Sequence, residues 1–122
     1  MKIIDLNTTE EKDATKEPLF QGGTVKTQFI LDEEFKGNKV QIINVKFSKG
    51  ARNKFHTHTN KQVLFVIEGE GIVADRKQEY KLVPGMAVII PAGEEHWHGA
   101  TKKSSFAHLS MIGQPQEMKI TE

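Results

Sequence analysis

Glycine and proline break this chain every few residues, and that rhythm limits the fold more than any other feature. The breaks fall at Gly22-Gly23, Gly37-Asn38, Gly50, Gly69, Gly71, Pro84-Gly85, Pro91, Gly93, Gly99 and Gly113. The segments between them are too short for typical helices, which average about 11–12 residues. They are rich instead in Val, Ile and Phe, at residues 24–31, 39–48, 62–69, 71–76, 79–83, 86–91 and 104–112. Strands of this length separated by turns predict an antiparallel sandwich or barrel. Residues 7–17 are polar enough to be a loop or a weak helix, and the tail after Gly113 is expected to be peripheral. There is no internal repeat or low-complexity tract.

At 122 residues the chain is expected to be a single domain, 1–122. Its net charge of +1 and scattered basic residues leave no footprint for nucleic acid. The longest apolar runs, residues 63–67 and 86–90, fall far short of the roughly 20 that a membrane helix needs. The N-terminus turns polar after four residues and lacks the apolar stretch of a signal peptide, so a cytoplasmic protein is expected. Without cysteine there is neither disulfide nor thiolate chemistry. In "QVLFVI", Gln62, Leu64 and Val66 share one face of a strand and Val63, Phe65 and Ile67 the other. Both faces are mainly apolar, so the second needs cover from another sheet or another subunit, and a homodimer is expected.

Chemistry concentrates in "HTHTNKQ", residues 56–62. On an extended segment His56 and His58 point the same way. Gln62 keeps their parity if the strand continues without a bulge. His96 follows the turn at Pro91-Ala92-Gly93, which can return a neighbouring strand to the first. Three imidazoles and an amide oxygen suit a divalent metal of intermediate softness: Mn, Fe, Co, Ni or Zn. Any of these residues alone would be ordinary, and their joint spacing is the signal. Gly50, five residues, His56-x-His58, three residues, Gln62, six residues, Gly69 makes one pattern. Gly85, five residues, Pro91-x-Gly93, two residues, His96 makes the second.

These two stretches resemble the paired motifs of the cupin superfamily, which implies an all-β, antiparallel double-stranded β-helix, or jelly-roll barrel. The resemblance implies that His56, His58, Gln62 and His96 line one end of the barrel and bind a metal. It places the motif-bearing core at about residues 36–113, with residues 1–35 adding strands or an arm. Two positions depart from the common pattern, Gln62 in place of Glu and Ala100 in place of Asn. The glutamine variant and "EEHWHGATKKSSFAHLSM" are similar to small manganese cupins described as hydroxynitrile lyases, and to cupins associated with carboxymuconolactone decarboxylase-like proteins. That resemblance implies manganese before Fe, Ni, Co or Zn, and catalytic roles for His98 and His108. The tail departs from it, lacking an aromatic-rich ending.

A neutral Gln62 leaves a divalent site at +2, where Glu would reduce it by one unit. The metal then stays a stronger Lewis acid, suited to stabilising a developing alkoxide or enolate. The expected function is therefore lyase or proton-transfer chemistry on a small organic molecule. An oxygen-dependent cupin dioxygenase and a non-catalytic module binding a small ligand are the alternatives. His98 shares a face with His96 if that segment is extended, and His108 alternates with Phe106 and Ser110. Trp97, on the opposite parity to His96 and His98, is expected to pack or to form an interface. Phe47 and Phe55 are candidates for the pocket wall or the core.

Overall fold

The computed structural model describes residues 1–122, with Phe35 described by its backbone alone. Among the described residues every regular element is a strand: β1 (Lys12–Asp13), β2 (Phe20–Gln21), β3 (Val25–Phe35), β4 (Asn38–Phe47), β5 (Arg52–Asn53), β6 (His56–His58), β7 (Gln62–Gly69), β8 (Gly71–Ala74), β9 (Glu79–Leu82), β10 (Ala87–Ile90), β11 (Trp97–Ala100), β12 (Phe106–Gln114) and β13 (Met118–Ile120). Two antiparallel sheets, in the orders β1-β3-β4-β12-β7-β10 and β2-β5-β11-β8-β9, face each other as a jelly-roll barrel. A small ribbon of β13 and β6 completes the structure. No helix among the described residues is long and apolar enough to cross a membrane.

Alternation along the strands decides what enters the barrel. In β7, Gln62, Leu64 and Val66 are buried while Phe65 is exposed. In β12, Phe106, His108, Ser110 and Ile112 point inward. A bulge between Ala107 and His108 in the β12–β7 pairing sets His108 opposite Val66 rather than Ile67. This extra residue keeps the inward faces of both strands in phase past the bulge. Val25, Phe47, Val66, Leu82 and Phe106 are among the buried residues of the apolar core. The β11–β5 contact is close enough that a Cβ on Gly99 would collide with Arg52 and the Ala51 carbonyl, so only glycine fits there.

Two local features differ from the sequence reading. Residues 59–61 bend between β6 and β7, so His58 and Gln62 sit on different strands rather than on one continuous strand. The tail beyond Gly113 is not peripheral: Met118, Lys119 and Ile120 pair with His58, Thr57 and His56.

A candidate metal centre and its pocket

β6 is only three residues long, and its two histidines are brought to a third by backbone pairing. His56 and His96 exchange N–H···O bonds of 3.0 and 3.1 Å across an isolated antiparallel bridge. One ring nitrogen from each of His56, His58 and His96 lies within 4.8 Å of the others. His56 and His96 are buried and His58 is half-buried.

Hydrogen bonds orient all three rings. The Nδ1–H of His56 donates to the Lys54 carbonyl at 2.6 Å, and that of His96 to the Glu94 carbonyl at 2.8 Å. The Nδ1–H of His58 donates to Gln116 Oε1 at 3.1 Å. With its proton on Nδ1, a neutral imidazole presents Nε2 as a lone pair. His58 Nε2 and His96 Nε2 are indeed buried without a partner, and so is Gln62 Oε1. The Gln62 amide is turned by its Nε2, which donates to Ser110 Oγ at 2.8 Å. Buried lone pairs without donors are costly unless something fills the site. This donor set fits a divalent transition metal, which the three histidines could hold with Gln62 as a further oxygen donor.

Electrostatics favours the same state. Burial lowers the pKa of His56 to about 3, aided by the neighbouring His96. Burial also lowers His58 and His96, against the opposing pull of Gln116 and of the Glu94 carbonyl. These rings are neutral at pH 7, as metal ligation requires.

Behind the cluster lies a second histidine pair. His98 on β11 is buried with its ring 5.7 Å from that of His96 and 5.9 Å from that of His56. His108 on β12 is fully buried, and its Nε2 lies 3.0 Å from His98 Nδ1. Asn53 anchors His98, accepting from its backbone N–H at 2.8 Å, and its Nδ2 lies 3.2 Å from Nε2 and 3.4 Å from Nδ1, within reach of whichever ring nitrogen lacks a proton. Burial holds His98 well below its ordinary pKa and lowers His108 to about 4. One proton can sit on either ring. On His108 Nε2 it leaves His108 Nδ1 as a bare lone pair, a base. On His98 Nδ1 it leaves His108 Nδ1–H as a donor, an acid. His108 Nδ1 is buried and makes no hydrogen bond.

A pocket of about 320 Å³ opens onto His56, His58, Gln62, His98 and His108, walled by Phe20, Phe29, Ile43, Val45 and Met118. Glu17 is its only charged lining residue among those described, the histidines being neutral. His96 faces instead a neighbouring hollow of about 240 Å³ bordered by Tyr80, Val88 and Ile89. Phe47 packs on the His98–His108 pair, with its ring 5.7 Å from that of His108. Phe55 does not wall the pocket and lies under the Arg76 guanidinium. Trp97 is packed beneath Arg52 at 3.9 Å. Sequence reasoning missed Asn53, Ser110 and Gln116 as partners of the histidines and Gln62. Only the inward parity of Ser110 with His108 gave any signal, since the other two are fixed by long-range contacts.

The cupin domain pattern matches residues 44–112. The (R)-mandelonitrile lyase of Granulicella tundricola is 36% identical over 69 residues, which are 56% of this chain and 53% of that protein. The chain thus spans about half the length of that relative. A cupin-like protein from Thermotoga maritima superposes with a TM-score of 0.78 at 26% identity, over 99% of this chain and 90% of that one. The polyketide cyclase RemF from Streptomyces resistomycificus superposes with a TM-score of 0.86 at 16% identity, over 100% and 86% of the two chains. At that identity the likeness is one of fold alone.

Proposed function

The chain belongs to the cupin family, and from that premise we propose that it is a metal-dependent enzyme cleaving or isomerising a small neutral molecule, with hydroxynitrile lyase-like chemistry. The observation that carries this reading is a three-histidine cluster, two of whose rings, His56 and His58, share a pocket with a buried, neutral His98–His108 pair. The ligands would be His56, His58, His96 and Gln62, with manganese first and Fe, Ni, Co or Zn as alternatives. A divalent ion there supplies a Lewis acid that polarises a hydroxyl or carbonyl oxygen. Among the described residues the pocket wall carries no Lys or Arg, and its aromatic and aliphatic residues suit an uncharged organic substrate.

In the cleavage direction His108 Nδ1 takes the proton of the substrate hydroxyl. The carbon–carbon bond breaks, its electron pair leaves with the cyanide, and the carbonyl forms. The same ring returns the proton to the leaving anion. His98 takes up and gives back the shared proton on the far side of His108, and Asn53 holds it in place. Gln62, uncharged, leaves the site attractive to the departing anion.

Manganese-loaded protein with mandelonitrile, followed by benzaldehyde release, tests this reading. Activity no greater than that of manganese in solution removes the lyase assignment. His108 is fully buried against Phe47 and Phe106, so His108→Gln removes the base with less loss of packing than alanine. It should lose about 10²–10⁴-fold in turnover, the usual worth of general acid–base catalysis, while keeping its metal.

A further inference from the structure

The three histidines of the cluster are not oriented in the same way. His56 and His96 each donate Nδ1–H to a backbone carbonyl two residues earlier in their own segment. Those acceptors cannot leave while the local chain keeps its path. His58 depends on a side chain 58 positions further on, the amide oxygen of Gln116 at 3.1 Å. Its Nε2 is nevertheless buried and unpartnered, as His96 Nε2 is. If Nδ1 lost its acceptor, the proton could move to Nε2, and the ring would then turn an N–H bond toward its neighbours in place of a lone pair.

Resting on the reading of the cluster as a metal centre, we propose that Gln116 is the positioning residue for His58. Its amide oxygen fixes the Nδ1–H tautomer, and through it the docked tail sets the affinity of the site. The tail is built to hold that oxygen in place. Gln116 N–H donates to Gln114 Oε1, Asn60 Nδ2 donates to the Gly113 and Pro115 carbonyls, and Glu117 N–H donates to Thr59 Oγ1. Beyond it, β13 pairs along β6, with Met118 opposite His58 itself. Gln116 is therefore clamped on both sides at the level of the ring it serves. Because binding and docking are linked, a metal that prefers the oriented ring must in turn stabilise the docked tail.

The test uses Gln116→Met, which keeps length but offers no oxygen, and Gln116→Glu, which keeps the acceptor. Nitrogen-15 spectra of the metal-free protein above pH 7 report which ring nitrogen of each histidine carries the proton. We expect His58 to be Nδ1–H in the wild type and in Gln116→Glu, and to shift toward Nε2–H in Gln116→Met, with His56 and His96 unchanged. Titration with manganese or zinc should show affinity reduced about 10–100-fold in Gln116→Met and restored in Gln116→Glu, the range for removing a partner of a ligating histidine. Amide protection along β6 and β13 should be retained in both variants, which separates orientation from loss of the tail. An unchanged His58 tautomer together with unchanged affinity in Gln116→Met overturns the proposal. If the wild-type chain bound no divalent metal, the metal-centre reading would fail, and the tautomer spectra alone would still decide the role of Gln116.

Discussion

Each ring of the histidine cluster is held by one nitrogen so that the other is left over. At two of them the anchor is the backbone, so substitution of the side chain removes a donor without disturbing the anchor. His56→Ala and His96→Ala should abolish metal loading, measured by elemental analysis of protein purified in excess manganese, and full loading of both variants would refute the ligand assignment. Gln62→Glu makes the converse experiment. An oxygen donor stays, but the charge of the site falls by one unit, so metal should be retained while affinity for cyanide or acetate weakens. Equal anion affinity in the two proteins would sink the account of the amide. The Ser110 hydroxyl beside Gln62 can accept from an amide and donate to a carboxylate, so the substitution keeps a hydrogen bond at that point. The three histidines and the glutamine were legible in the sequence because their offsets are fixed by a turn and a short strand. Gln116 was not, because nothing local ties residue 116 to residue 58.

Among the elements, the long strands were legible and the short ones were not. β7 and β12 alternate over enough residues for inward and outward faces to separate. β5, β6 and β13 have two or three residues each, too few to carry a period. Gln62 shows the cost: parity carried on from His58 runs through residues where the chain bends. Yet Gln62 reaches the pocket because β7 starts there in its own inward phase. The N-terminal segment illustrates another long-range tie. Gln28 on β3 is buried, donates to the Leu6 and Thr9 carbonyls, and accepts from Asn44 Nδ2. Gln28→Ala should loosen residues 5–10 and leave the Asn44 amide without that partner, at a cost of about 1–3 kcal/mol. Chemical denaturation would give the cost, and hydrogen exchange should show faster opening of this segment.

For the molecule as a whole, the buried histidines make stability depend on pH. Folded His108 and His56 have pKa values of about 4 and about 3, both lowered chiefly by burial from an ordinary 6.5. The unfolded chain therefore takes up protons below about pH 6.5 that the folded metal-free chain refuses. Stability should be full above that pH and fall as acid is added until about pH 4 for His108 and about pH 3 for His56. The slope is about 1.4 kcal/mol per pH unit for each group. A flat unfolding profile between pH 6.5 and 4 would contradict these burials. The outer face of the larger sheet carries a second whole-molecule consequence. Phe65 is 40% exposed and Ile89 65% exposed, and Val63 lies opposite Ile89 in the pairing of β7 with β10. We propose that a second copy covers this face through a two-fold contact, so light scattering should give twice 13.8 kDa, and a monomer at micromolar concentration would refute it. Finally, the histidine cluster and His108 come from different parts of the barrel. His56, His58 and His96 sit on a short ribbon and a bridged turn, while His108 rises from the larger sheet. On the proposed function such a layout would be modular in the evolutionary sense: mutations along β12 would redirect the reaction while the three histidines are inherited intact. Ser110, which grips the amide of Gln62 from that same strand, is where the two modules have to change together.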